Sequence, residues 1–127
     1  MLPFQVLAEN GQGLELPVWA VVMHVTMGVF AFALAVLIGV RTGSNYPSFP
    51  ILRFLGISVL IVVVIQLLLG IIALFAVSMR ETEFPPISEV VFTSLHQATG
   101  ALLLGLCVLL LAWHFRLVKP VDELNEY

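Results

Sequence analysis

The chain has 127 residues, 61% hydrophobic and 10% charged, with a mean hydropathy of +1.11 and a formal net charge of −3. That balance excludes an ordinary soluble domain, and the five scattered basic residues exclude a nucleic-acid-binding footprint. A single cysteine, Cys107, excludes an intrachain disulfide or a cluster of thiolate ligands, and its place deep in an apolar run suits a small packing hydrophobe.

Residues 1–16 are short and mixed, with the turn-forming run Glu9-Asn-Gly-Gln-Gly before the first apolar stretch. They lack a basic leading region, and Glu9 and Glu15 precede the apolar run, so the expectation is an interfacial segment and a retained first span rather than a cleaved signal peptide. Three apolar stretches follow, at about 17–40, 54–78 and 90–115. Each exceeds the roughly 20 residues that cross about 30 Å of hydrocarbon at 1.5 Å per residue. The predicted class is an all-α integral membrane protein: one transmembrane domain over 1–127, with three helices in an up-down-up bundle. The run Arg41-Thr-Gly-Ser-Asn-Tyr-Pro-Ser-Phe-Pro reads as the first connection, and Met79-Arg-Glu-Thr-Glu-Phe-Pro-Pro reads as the end of the second span. Residues 121–127 form an acidic tail, expected to be solvated.

Arg41 and Arg53 flank the first connection, and Arg116 and Lys119 follow the third span, whereas only Arg80 lies in the second connection. Basic residues near span ends mark the cytoplasmic side, so the amino terminus is expected outside and the carboxyl terminus in the cytoplasm, in a cell inner membrane. Trp19 and Trp113 fall near span ends, where indoles favour the interface.

His24 and His96 lie about seven and six residues into the first and third spans, which run in the same direction, roughly 10 Å below the outer helix ends. Each is followed four residues later by glycine, Gly28 and Gly100. A residue four positions on shares the face one turn away, so each glycine leaves a flat gap beside its imidazole. Two depth-matched imidazoles suit the axial positions of a haem iron, here a haem b, with His24 and His96 as metal ligands. Polar neighbours of the kind that fix a ligand's second ring nitrogen are Thr26 for His24, and Thr93, Ser94, Gln97 and Thr99 for His96. Zinc fits poorly, because it wants three or four ligands and no further donor converges at that depth.

Arg80 is the one outer cation available to haem propionates, and an exposed interfacial arginine is its plainer reading. Gln66, at the centre of the second span, needs an amide partner and is expected to act as interhelical glue. Gly70, one turn on, is expected to permit close helix approach. His114, five turns after His96, is expected at the interface. The competing view of both intramembrane histidines is interhelical hydrogen bonding without any cofactor.

Gln66-Leu-Leu-Leu-Gly70, the paired prolines, and Leu95-His-Gln-Ala-Thr-Gly-Ala-Leu-Leu-Leu104 resemble the last two helices of one four-helix half of haem A synthase. His24-Val-Thr-Met-Gly28 is similar to the histidine helix preceding them, so the likeness covers about residues 17–116. The resemblance implies a haem between His24 and His96, and the His-Gln-Ala-Thr run is more similar to the carboxy-terminal, haem b half than to the half that converts haem O. Where the family's catalytic half has a glutamate three residues before its histidine and an arginine just after, this chain has Val21 and Val25. The family's outer-loop cysteine pair and its second half have no counterpart in these 127 residues, and the first helix of the half has none unless residues 1–16 partly replace it.

The expected function is therefore a membrane cytochrome b-like subunit passing single electrons, with other membrane subunits or a second copy covering the haem and a quinone or cytochrome as redox partner. Alternatives are a haem A synthase-like enzyme built from two copies, a haem and quinone anchor like that of succinate dehydrogenase, or a haem-free structural subunit.

Overall fold

The computed structural model describes residues 18–79 and 84–117. These form three helices, α1 (Val18–Asn45), α2 (Pro50–Ser78) and α3 (Ile87–Leu117), with no strand among the described residues. Each is long and apolar enough to cross a membrane, with mean hydropathy of 2.4, 3.1 and 2.0 in its most apolar window. The segments carrying Glu9, Glu15, Arg80, Lys119 and the acidic tail lie outside the described residues.

Apolar side chains cover the outside rather than a globular interior. Ile71 is 58% exposed, Phe75 63% and Leu104 67%. In water such a surface would drive aggregation; in hydrocarbon it is the solvated state, while the helices satisfy their own backbone groups. The protein is thus a multi-pass integral membrane protein with three spanning helices.

The chain divides into two units, residues 1–31 and 32–127, with the boundary inside α1. In the first, the described residues 18–31 are the opening turns of α1, where Thr26 Oγ1 donates to the Val22 carbonyl at 2.8 Å. A hydroxyl in a span that bonds back to its own helix avoids an unsatisfied donor in lipid.

In the second unit the helices alternate in direction. Its apolar cluster, at the end where α1 and α2 connect, is built from Ala35, Leu52, Leu55, Val59, Val63 and Leu110, with Phe32, Leu106, half-buried Cys107 and Trp113 packed against it. Leu52 and Val59 are fully buried.

Several helix ends differ from the sequence expectation: α1 ends later, α2 starts earlier, and α3 extends at both ends. The turn-forming residues after Val40 continue α1 to Asn45, and the connection shrinks to 46–49, closed by a 3.1 Å bond from Phe49 N to the Tyr46 carbonyl. Tertiary packing overrides local propensity here. A Cβ on Gly56 would stand 2.9 Å from Gly43 N, 3.0 Å from Gly39 O and 3.1 Å from Thr42 Cβ, so the backbones of α1 and α2 touch across this stretch. Buried Thr42 sits in the same contact. Gly39-x-x-x-Gly43 is the small-residue spacing that permits such an approach. Proline at the start of α2 then costs no helical hydrogen bond.

The paired prolines do not end α2, which stops at Ser78 with Met79 N donating to the Phe75 carbonyl at 3.0 Å. They introduce α3 instead. The Pro86 carbonyl accepts from Glu89 N at 3.0 Å and Val90 N at 3.2 Å, forming the first turn of that helix. Consequently α3 starts at Ile87 rather than near 90, and His96 is its tenth residue. Glu89 lies in the first turn, where an anion is favoured by the helix dipole, and it is buried to 4% exposure.

Candidate functional site

Gln66, His96 and Thr99 of the second unit gather between α2 and α3, on the side of the apolar cluster away from the α1–α2 connection. Two elements of sequence place them there. Gln66 and Gly70 are one turn apart on α2, and His96, Thr99 and Gly100 span one turn of α3. Because the helices run antiparallel, residue 66 meets residues 99 and 100, while residue 70 meets residue 96.

Thr99 Oγ1 donates to Gln66 Oε1 across the interface. The same hydroxyl stands 2.8 Å from the Leu95 carbonyl and 3.2 Å from the His96 carbonyl. A hydroxyl has one proton, so these acceptors compete, and the proton given to Gln66 ties the amide of α2 to the turn of α3 that carries His96. Replacing Thr99 by valine keeps the shape and removes the donor. The expected result is a loss of about 0.6–1.7 kcal/mol in helix association, read as a lower melting midpoint of the full chain in detergent micelles.

The His96 imidazole lies against Gly70 of the facing helix. A Cβ on Gly70 would be 2.9 Å from Cε1, 3.3 Å from Nδ1 and 3.7 Å from Nε2. The absence of a side chain at Gly70 is therefore what admits the ring. Reciprocally, a Cβ on Gly100 would be 3.0 Å from Nε2 of Gln66, so the gap one turn from His96 is filled by the Gln66 amide. His96 is half-buried, with its Nδ1 atom buried.

Thr93 Oγ1 donates to the Glu89 carbonyl at 2.8 Å, with the Val90 carbonyl at 3.1 Å, while Ser94 and Gln97 are exposed. Of the polar residues expected around His96, Thr99 is the one joined to the facing helix. In the first unit His24 is exposed on α1, and nothing lies within 4 Å of the position a Gly28 side chain would take. The structure thus joins His96 with Gln66, Gly70, Thr99 and Gly100. His24 and Gly28 belong to the other unit, and Arg80 is outside the described residues. No group of three or more His, Cys, Asp or Glu side chains suited to a metal ion occurs among the described residues.

His114 is at the opposite end of α3, half-buried, edge-on to Tyr46 with ring centroids 5.4 Å apart. One turn of sequence beyond Leu110, Trp113 carries the Arg116 guanidinium 5.7 Å from its ring centroid. This pairing suits the membrane–water boundary, where an indole and an arginine each keep one end wet.

The fold and this contact define a class: a small multi-pass membrane protein with an intramembrane histidine held between two helices. Compared with protein-family models, curated proteins and solved structures, the chain matches none.

Proposed function

We propose that the chain is a membrane cytochrome b-like subunit in which His24 and His96 are the axial ligands of a haem b. The observation that carries the reading is the imidazole of His96, held inside a spanning segment on the bare backbone of Gly70 and beside a glutamine–threonine bond. Ionisable side chains within spans are costly, and an imidazole retained there is a functional candidate. The donor chemistry fits haem iron: two neutral imidazoles on spanning helices, in apolar surroundings, with glycine beside each by sequence.

Haem bound there would supply one-electron redox chemistry. The chain's own part is to present the imidazoles, exclude water with the apolar faces of its helices, and offer Arg80 as a counter-charge to the propionates. Val21 and Val25 in place of an acid and an arginine beside His24 favour electron transfer over haem oxidation. The remaining features of the reading are a cell inner membrane, an outward amino terminus and a cytoplasmic carboxyl terminus. A second copy or another membrane subunit would cover the cofactor, with a quinone or cytochrome as redox partner.

A haem-free structural subunit is the second reading, favoured by the same close fit of His96 on Gly70, which suits an interhelical packing group equally well. The two differ in the purified protein. Full chain from a haem-replete host is expected to give a b-type reduced-minus-oxidised spectrum that reverses on reoxidation. A colourless, folded preparation would leave only the structural reading.

A further inference from the structure

Near the carboxy-terminal end of α3, Leu109, Ala112, Trp113 and Arg116 follow one another at spacings that put them on one face of the helix. They line a groove of about 260 Å³. Side-chain size shapes it: the methyl of Ala112 is too short to fill the space between Leu109 and the indole. The indole is held from behind, because Trp113 packs against the buried cluster that contains Leu110.

The groove changes character along its length. Leu109 and Ala112 are exposed and apolar, whereas Arg116 stands toward the helix terminus with its guanidinium 5.7 Å from the Trp113 ring centroid. Contact with the ring engages the face of the planar cation and leaves N–H donors at its edge. An apolar slot with a guanidinium at its water-facing end is complementary to a phospholipid, whose acyl chain and phosphate are joined in that order. At about 260 Å³ the groove is smaller than the roughly 300–1,000 Å³ of a small-molecule pocket, and suits a length of one chain rather than a compact ligand.

Charge at this end of the bundle selects the headgroup. Tyr46 lies edge-on to His114, so the α1–α2 connection is beside the end of α3. Arg41, near the end of α1, and Arg53, in the first turn of α2, therefore stand at the same end as Arg116, and both are exposed. Glu89, the one acid among the described residues, is at the other end of α3. Basic pockets at the ends of spans attract anionic lipids.

We propose that this groove binds one anionic phospholipid, with the phosphate on Arg116 and an acyl chain against Leu109, Ala112 and the Trp113 ring. The site stands apart from the haem reading, since none of its residues belongs to the His96 contact.

The test uses the full chain carrying Trp19→Phe, which leaves Trp113 as its single indole. It is reconstituted in vesicles of phosphatidylcholine and phosphatidylglycerol, with bromine on the acyl chains of one lipid or the other. Bromine quenches an indole that its chain touches. Trp113 is expected to favour phosphatidylglycerol about fivefold or more, the scale on which one arginine acts near an anionic surface. Arg116→Gln is expected to remove that preference while both lipids still quench. Ala112→Leu, which fills the groove, is expected to reduce quenching by both. Arg53→Gln is expected to keep the preference, because that arginine lies on another helix.

Equal quenching by the two lipids in the parent chain overturns the proposal. So does a preference that Arg53→Gln weakens as much as Arg116→Gln, which marks diffuse attraction to the end of the bundle rather than a site. Trp113 emission that neither lipid quenches means that protein covers the groove, and overturns it too.

Discussion

Replacing His96 by alanine in the full chain is expected to abolish low-spin haem, and replacing His24 is expected to do the same. Loss of an axial imidazole should exceed the roughly 10–100-fold cost of losing an outer partner of a metal ligand, so haem content should fall to the level of an apo preparation. The structure supplies the control. His114 is the remaining histidine, and it packs edge-on to Tyr46 at the far end of α3. His114→Ala should keep the wild-type spectrum and haem content. Imidazole supplied together with haem should restore part of the low-spin signal to His96→Ala by entering the space beside Gly70, provided the helices stay associated through Gln66 and Thr99. Haem content, spectrum and helicity measured together separate loss of a ligand from loss of the fold. Retention of the low-spin spectrum by both alanine variants would reject these ligands.

The second large effect is expected at Gly56, far from the histidines. A side chain there would meet backbone: Gly43 N at 2.9 Å and Gly39 O at 3.0 Å. Neither atom can swing aside, as the end of a flexible side chain could. Gly39 is constrained from the same contact, since a Cβ on it would lie 2.7 Å from Leu60 Cγ and 3.0 Å from Gly56 O. Gly56→Ala must therefore part α1 and α2, at a cost of about 1–3 kcal/mol by the usual scale of overpacking, and Gly56→Leu more. The measurement is thermal unfolding of the full chain in micelles, with Gly105→Ala as comparison. Nothing lies within 4 Å of the position a Gly105 side chain would take, so that variant should melt at least as high as wild type. Equal midpoints for the Gly56 and Gly105 variants would mean that the close backbone contact does not hold α1 to α2.

Three spanning helices are legible in the sequence because hydrocarbon imposes a length and a composition that no soluble segment of this size shares. Helix ends are less legible. Arg41-Thr-Gly-Ser looks like a loop on local propensity, yet it is helical because Gly39 and Gly43 dock on Gly56, a contact that exists only once α2 is beside α1. The spacing Gly39-x-x-x-Gly43 was the available signal. Likewise, Pro85-Pro86 breaks a helix in either direction by local chemistry, and the hydrogen bonds to the Pro86 carbonyl show it opening α3.

At the candidate site, Gln66, Gly70, His96 and Gly100 each stand out by type and depth. The four-residue spacing of His96 and Gly100 describes one face of one helix, however, and says nothing of what fills the gap between them. Antiparallel packing fills Gly100 with Gln66 and places Gly70 under His96. The matching spacing of Gln66 and Gly70 on the neighbouring span was the sequence clue to that crossed arrangement. Glu89 was less visible, since an acid just after two prolines suggests a wet helix start, whereas the chain buries it to 4% exposure.

The central claim is that His96, seated on Gly70, serves together with His24 as an axial ligand of one haem. Electron paramagnetic resonance of the oxidised, purified full chain tests it most directly, because bis-imidazole ligation makes ferric haem low-spin and a single imidazole leaves it high-spin. The account predicts a low-spin signal corresponding to one haem per chain, lost in both His24→Ala and His96→Ala. A high-spin signal in the wild type, or a folded protein without iron, would contradict it.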